Sequence, residues 1–251
     1  MAMRQDIHSL PTAVQFYALG ARHQLDDRVF RYARAGGVLT PDFPAKNADF
    51  QHVTWAVVAA ALAGAQSVVV TVGATDGALR NGAIAANELA GGYAVLFSAT
   101  VNRAQNRKVL SNTAVVAPGG AMTVVLDKPL TYALVAVSMI EIMASPYRNV
   151  QITPADSTYC SLVGVPTVAA IAGQFLWLQT WGPLWTNADL VVSVGINNRS
   201  ISTGPDGNLH PVVAADAFNT VQGQKVGFAM ENGNTAAHLQ GAPFIFLQIA
   251  P

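Results

Sequence analysis

Charge is what this chain has least of. Only 11% of its 251 residues are Asp, Glu, Lys or Arg, against roughly 25% in an ordinary soluble domain. The 14 basic and 14 acidic residues cancel. A protein that grips nucleic acid through bulk charge needs a net positive field, so no direct nucleic-acid partner is expected. With 51% hydrophobic residues and no net charge, the chain also lacks the signature of intrinsic disorder. Cysteine is nearly absent. Cys160 alone cannot make a disulfide framework or a thiolate zinc module. A free monomer ordinarily keeps a charged surface for solubility. The scarcity of charge therefore predicts that much of this surface faces other protein.

Long uninterrupted apolar runs are missing too. The most apolar stretch, Val53 to Val72, contains Gly64, Gln66 and Ser67, has no flanking Lys or Arg, and is largely alanine. No membrane partner is expected from it. The opening Met1 to Leu10 carries Arg4, Asp6 and His8 and shows no apolar signal core. Chemistry-bearing patterns are equally sparse. The five histidines, His8, His23, His52, His210 and His238, are all at least fifteen residues apart, so no local metal-ligand pair exists. There is no nucleophile elbow, P-loop or dinucleotide fingerprint. Cys160 has no neighbouring His or cation to activate it. Asp26, Asp27, Asp42 and Asp49 lack calcium-loop spacing and read as solvated loop carboxylates. The chain is expected to be non-enzymatic, with no cofactor and no metal.

What is present is strand and turn. The 21 glycines and 13 prolines leave room for strands of about five residues more readily than for helices. Runs rich in Val, Thr, Ile, Phe and Tyr lie between them: Ser67 to Val72, Tyr93 to Thr100, Ala121 to Leu126, Val150 to Thr153, Phe175 to Trp181, Leu190 to Ile196 and Phe244 to Ile249. Asp76-Gly77, Asn81-Gly82, Gly119-Gly120, Asp206-Gly207 and Asn232-Gly233 supply turns that tolerate positive φ. Thr54 to Ala63 and Ala83 to Leu89 are short helix candidates without a 3.6-residue stripe. The expected fold is all-β: antiparallel β-sandwich or barrel units with an extended N-terminal arm and at most short helices. The expected division is an arm with one strand over residues 1–50, a β domain over 51–160 and a second β unit over 161–251.

Two clusters are candidate contact sites. Arg22, Arg28, Arg31 and Arg34 fall within thirteen residues, around a strand from Arg28 to Ala35 with Phe30 and Tyr32 on one side. Positive charge either blunts a solvated strand edge or docks an acidic protein surface. Trp177, Trp181 and Trp185 recur every four residues, an even spacing that puts them on one side of a regular strand. A core strand whose last tryptophans, Trp181 and Trp185, reach an interface is favoured over a carbohydrate platform.

Several segments, in order along the chain, carry a resemblance. They are Gly20-Ala-Arg22, Asp27 to Gly37, Val70 to Thr75, Ala90 to Tyr93, Val124 to Pro129, Ser145-Pro-Tyr147, Val163 to Pro166, Phe175-Leu-Trp-Leu-Gln-Thr-Trp-Gly-Pro183 and Val226 to Met230. Together they resemble the capsid decoration, or cement, proteins of tailed bacteriophages. The resemblance implies a β-rich virion protein without catalysis, on the outer surface of the head. Its partner would be the major capsid protein, bound over joints between subunits, and it would form a homo-oligomer, a trimer by preference. Small cement proteins are shorter, which points to residues 161–251 as additional β structure. The alternatives are a tail or fibre component with a carbohydrate-binding aromatic face, a β-fold hydrolase, and, less favoured, the major capsid protein itself.

Overall fold

Alternation of apolar and polar side chains is the physical reason for the strands. Ser67 to Val72 places every second residue, Val68, Val70 and Val72, in the core and leaves the others outside. The computed structural model describes residues 5–47, 51–153, 161–186, 199–203, 209–212, 224–230 and 244–251. It contains β1 (Arg22–Leu25), β2 (Arg28–Arg34), β3 (Ala45–Asn47), β4 (Gln51–Val57), β5 (Ser67–Val72), β6 (Tyr93–Ser98), β7 (Arg103–Asn112) and β8 (Gly120–Leu126). These are followed by β9 (Met139–Met143), β10 (Val150–Ile152), β11 (Leu162–Pro166), β12 (Phe175–Trp185), β13 (Ser200–Thr203), β14 (Leu209–Pro211), β15 (Lys225–Ala229) and β16 (Phe244–Gln248). The protein is all-β, built from two curled antiparallel sheets, and no helix occurs among the described residues.

The chain forms two compact units, residues 1–48 with 147–251, and residues 49–146. This corrects the expected arm, central domain and terminal unit. Residues 5–47 are no extended arm with one strand. They carry three strands, and β2 pairs along β12 from Phe175↔Arg34 to Trp181↔Val29. Nor does the central unit run to residue 160: β10 pairs with β3 inside the first unit. A sequence boundary marks where the chain changes composition. It does not mark which distant strand a segment pairs with.

In the first unit one sheet runs β10-β3-β11-β12-β16-β15-β13-β14, with β2 joined to β12 and β1 to β2. β12 is the hub, pairing with β2, β11 and β16. Phe30, Tyr32, Phe175 and Trp177 form one buried cluster with Ile7. Leu162, Val165, Leu184, Ile201, Leu209, Val226, Ile245 and Leu247 form another. Gln5 ties the chain start to this core by donating to the Phe175 carbonyl at 2.9 Å and accepting from the Tyr32 hydroxyl at 2.8 Å.

The second unit is a six-stranded sheet, β4-β9-β6-β7-β8-β5, curled around Leu96, Met122, Val124, Leu126, Ile140 and Ile142. The Ala-rich helix candidate at 54–63 is strand β4 and an irregular extension bridged at Val58↔Val70 and Ala61↔Leu134. The 83–89 candidate is turns. Tertiary pairing overrides the helix preference of alanine. The strand expected at 190–196 and the turns at 206–207 and 232–233 lie outside the described residues, as do Cys160, Asp49 and His238.

Candidate functional site

The four arginines do not form one patch. β2 alternates regularly, so Arg28 and Arg34 share the parity of Phe30 and Tyr32, while Arg31 points to the other side. Arg22 lies directly across from Arg31 on β1. Like charges opposite one another on adjacent strands repel. Arg31 turns away to donate to the Gly20 carbonyl at 3.4 Å and the Pro251 main-chain oxygen at 2.6 Å, while its Nε is buried without a hydrogen bond. It is a tether between β2 and the segment that follows β16. Arg22 and Arg34 are exposed and Arg28 half-buried.

The tryptophans also separate, for a different reason. Phe175 to Gln179 pair with Arg34 to Phe30 one for one, but the next pair is Trp181↔Val29. Thr180 is an extra residue, a β-bulge that reverses the side-chain parity of everything after it. Trp177 therefore points into the core. It is 2% exposed, its indole donates to the Gln5 carbonyl at 3.0 Å, and its ring meets Tyr17 and Tyr32 at 5.2 and 5.0 Å. The expectation that Trp177, Trp181 and Trp185 share one side is overturned by this bulge. Thr180 supports the kink by donating to the Ala250 carbonyl at 2.7 Å. Gln179 donates forward to the Pro183 carbonyl at 2.8 Å.

Past the bulge, Trp181, Pro183 and Trp185 stand opposite Gln248, Phe246 and Phe244 of β16, and Phe246 stands opposite Phe228 of β15. Trp181 meets Phe246 edge-on at 5.8 Å, and Phe246 stacks on Phe228 at 5.3 Å with the rings 5° from parallel. Leu184, Ile245 and Leu247 alternate with them and fill the core. The result is an aromatic strip on the outer side of a three-strand ribbon, with Trp185 at 40% exposure. Sequence reasoning placed Trp181 and Trp185 in a contact site. It missed Phe228, Phe244 and Phe246. The Phe244-Ile-Phe-Leu-Gln248 alternation would have put both phenylalanines on one side of that strand, but not beside the tryptophans.

The second unit holds a buried His–Glu ion pair. His52 Nε2 is 3.4 Å from Glu88 Oε1, inside ion-pair distance but not aligned as a hydrogen bond, and both His52 ring nitrogens are buried without one. Glu88 Oε2 accepts from the Ala85 amide at 2.6 Å, which aims the carboxylate. Nearby, the Asp76 carboxylate accepts from the Thr54 and Gly73 amides at 3.0 and 2.8 Å, and the Gly77 amide donates to the His52 carbonyl at 2.7 Å. These bonds clamp β4 where its register against β9 slips between Val53 and Ala56. Trp55 is extruded there with φ +48°. A bulky residue in that region costs about 1–3 kcal/mol and persists only where its surroundings over-determine it. Its ring is 54% exposed and lies 5.0 Å from Phe97.

Burial pushes the Tyr32 phenol above its ordinary value of 10.0, opposed by the Phe16 amide that donates to it. Burial also raises the Asp42 carboxyl above 3.8. Among the described residues no three His, Cys, Asp or Glu side chains gather where they could hold a metal ion, and no helix is long and apolar enough to cross a membrane. Compared with protein families, curated proteins and solved structures, the chain gives no significant match.

Proposed function

We propose that this chain is a non-enzymatic structural protein of a tailed-phage virion. It decorates the outer surface of the head, binding over joints between major capsid subunits as a homo-oligomer, a trimer by preference. The observation that carries the reading is the aromatic strip of Trp181, Trp185, Phe228 and Phe246 on β12, β15 and β16. Aromatic side chains bury large areas at little entropic cost and dominate contact energetics. Low charge supports the same reading, because a joint between subunits pays little desolvation when few ions enter it. The ordered resemblance to decoration proteins supports it further. Arg22, Arg28 and Arg34 are the cations able to reach an acidic lattice, since Arg31 is engaged within the chain. Each contact is weak alone and gains strength when repeated around an oligomer.

The test is occupancy on heads that lack the chain. Arg28→Glu with Arg34→Glu, and separately Trp185→Ala, are expected to lower occupancy at least tenfold. Undiminished binding by both variants would remove this function. A second reading draws on the same strip. A near-parallel pair of phenylalanines beside an edge-on tryptophan is a surface on which a sugar ring stacks, as in a tail or fibre component. Glycan-array binding lost on Trp185→Ala, with no head occupancy by the wild type, favours that reading.

A further inference from the structure

The second unit has an outer side of its own, away from its core and free of the strip described above. Its rows follow from strand register. Tyr93 of β6 stands between Met143 of β9 and Lys108 of β7. Val95 stands between Glu141 and Asn106, and Phe97 between Met139 and Ala104. Val57 of β4 joins the last row opposite Met139, and the extruded Trp55 leans on Phe97. Their neighbours along each strand, Ala94, Leu96, Ile140 and Ile142, fill the core. Trp55, Val57, Tyr93 and Met143 are all more than 40% exposed. Exposed apolar patches this continuous mark interaction sites.

We propose that this sheet face is a two-fold interface with a second copy of the same chain. Two observations choose the occupant. The first is area. Three aromatics with Val57, Met139 and Met143 present on the order of 500 Å² per copy, so a face-to-face pair buries about 1,000 Å², the lower bound of a specific interface. The second is charge. On the strands flanking β6 the face carries Lys108 of β7 and Glu141 of β9, on opposite sides of β6, with Asp127 beside β7 accepting from the Lys108 amide at 2.9 Å, and neither the Lys108 nor the Glu141 side chain has an ion pair within the chain among the described residues. A two-fold axis running along β6 lays β7 of each copy over β9 of the other. Lys108 of one copy then lies about 7 Å along the strands from Glu141 of the other, within reach of two long side chains across sheets about 10 Å apart. Both charges are satisfied twice, as an isologous contact requires. A neutral glycan would leave both unpaired. The strained presentation of Trp55 places an aromatic anchor at the end of the β6 row, where contacts of this kind concentrate binding energy. The inference needs no capsid and stands apart from the function proposed above.

The experiment is sedimentation of the full-length chain over a concentration series, with circular dichroism to confirm folding. Trp55→Ser, Lys108→Glu and Glu141→Lys are each expected to halve the limiting mass or weaken association at least tenfold. Mixing the Lys108→Glu and Glu141→Lys proteins in equal amounts is expected to restore it, because each mixed pair then opposes Lys to Glu at both contacts. The charge variants cover the case in which Trp55→Ser fails to fold. Equal masses for wild type and every variant would overturn the interface. So would loss in the single variants without recovery in the mixture. Glycan binding that disappears in Trp55→Ser, with mass unchanged, would assign the face to carbohydrate and refute a second copy.

Discussion

Trp177→Ala and Trp185→Ala, made separately, read out the bulge at Thr180 as a difference in stability. The two positions are eight residues apart, an even spacing, and a regular strand would place them alike. In the folded chain Trp177 is 2% exposed and Trp185 40%. Burying a tryptophan removes roughly 150–250 Å² from water, or about 4–6 kcal/mol at 25 cal/mol per Å². An extended-chain reference overstates that figure, so Trp177→Ala is expected to cost about 3–5 kcal/mol. Trp185→Ala loses a side chain already 40% exposed and is expected to cost about 2 kcal/mol. Guanidinium unfolding followed by far-ultraviolet circular dichroism measures both. Domain stabilities run to about 5–15 kcal/mol, so the first variant can approach the unfolding threshold. Trp177→Phe is the milder companion. It keeps the ring and removes the indole bond to the Gln5 carbonyl, for a loss of about 1–3 kcal/mol. Equal costs at 177 and 185 would refute the parity reversal and with it the aromatic strip.

Two further outcomes follow from single carboxylates. Asp76→Ala orphans the Thr54 and Gly73 amides and is expected to cost about 2–4 kcal/mol in urea unfolding, with Asp76→Asn recovering part of it through the one amide oxygen. Burial raises the Asp42 carboxyl above 3.8, so the native state holds that proton more tightly than the unfolded chain. Ionised Asp42 therefore subtracts stability, a penalty absent below the ordinary value and present once pH has risen through the raised one. Asp42→Asn, which tolerates the local φ of +64°, is expected to melt higher than wild type at pH 7, within about 0.5 kcal/mol, and equally at pH 3. A gain that persists at pH 3 would show that the charge is not its cause.

Much of the strand content was legible because side-chain alternation is a local property. Ser67 to Val72, the start of β6, most of β8 and the Phe244 strand could be read from four to seven residues each. The aromatic strip was legible only in part. Trp181 and Trp185 were identifiable as surface aromatics, yet their phenylalanine neighbours come from strands some forty to sixty residues further on. Trp55 sat inside an alanine-rich run that resembled a short helix. Nothing local announced that β9 would hold it as a slipped strand and push the ring outward.

Composition and periodicity, which act residue by residue, were enough to determine an all-β chain, poor in charge and without a local catalytic or metal-binding motif. Pairing across long separations decided the rest. β2 joins β12, almost 150 residues away, because their apolar sides complete one core, and that contact makes Arg28–Arg34 part of the large sheet. The single extra residue Thr180 then turned one tryptophan inward and two outward. A bulge is defined by the strand opposite, so only the folded partner strand could reveal it.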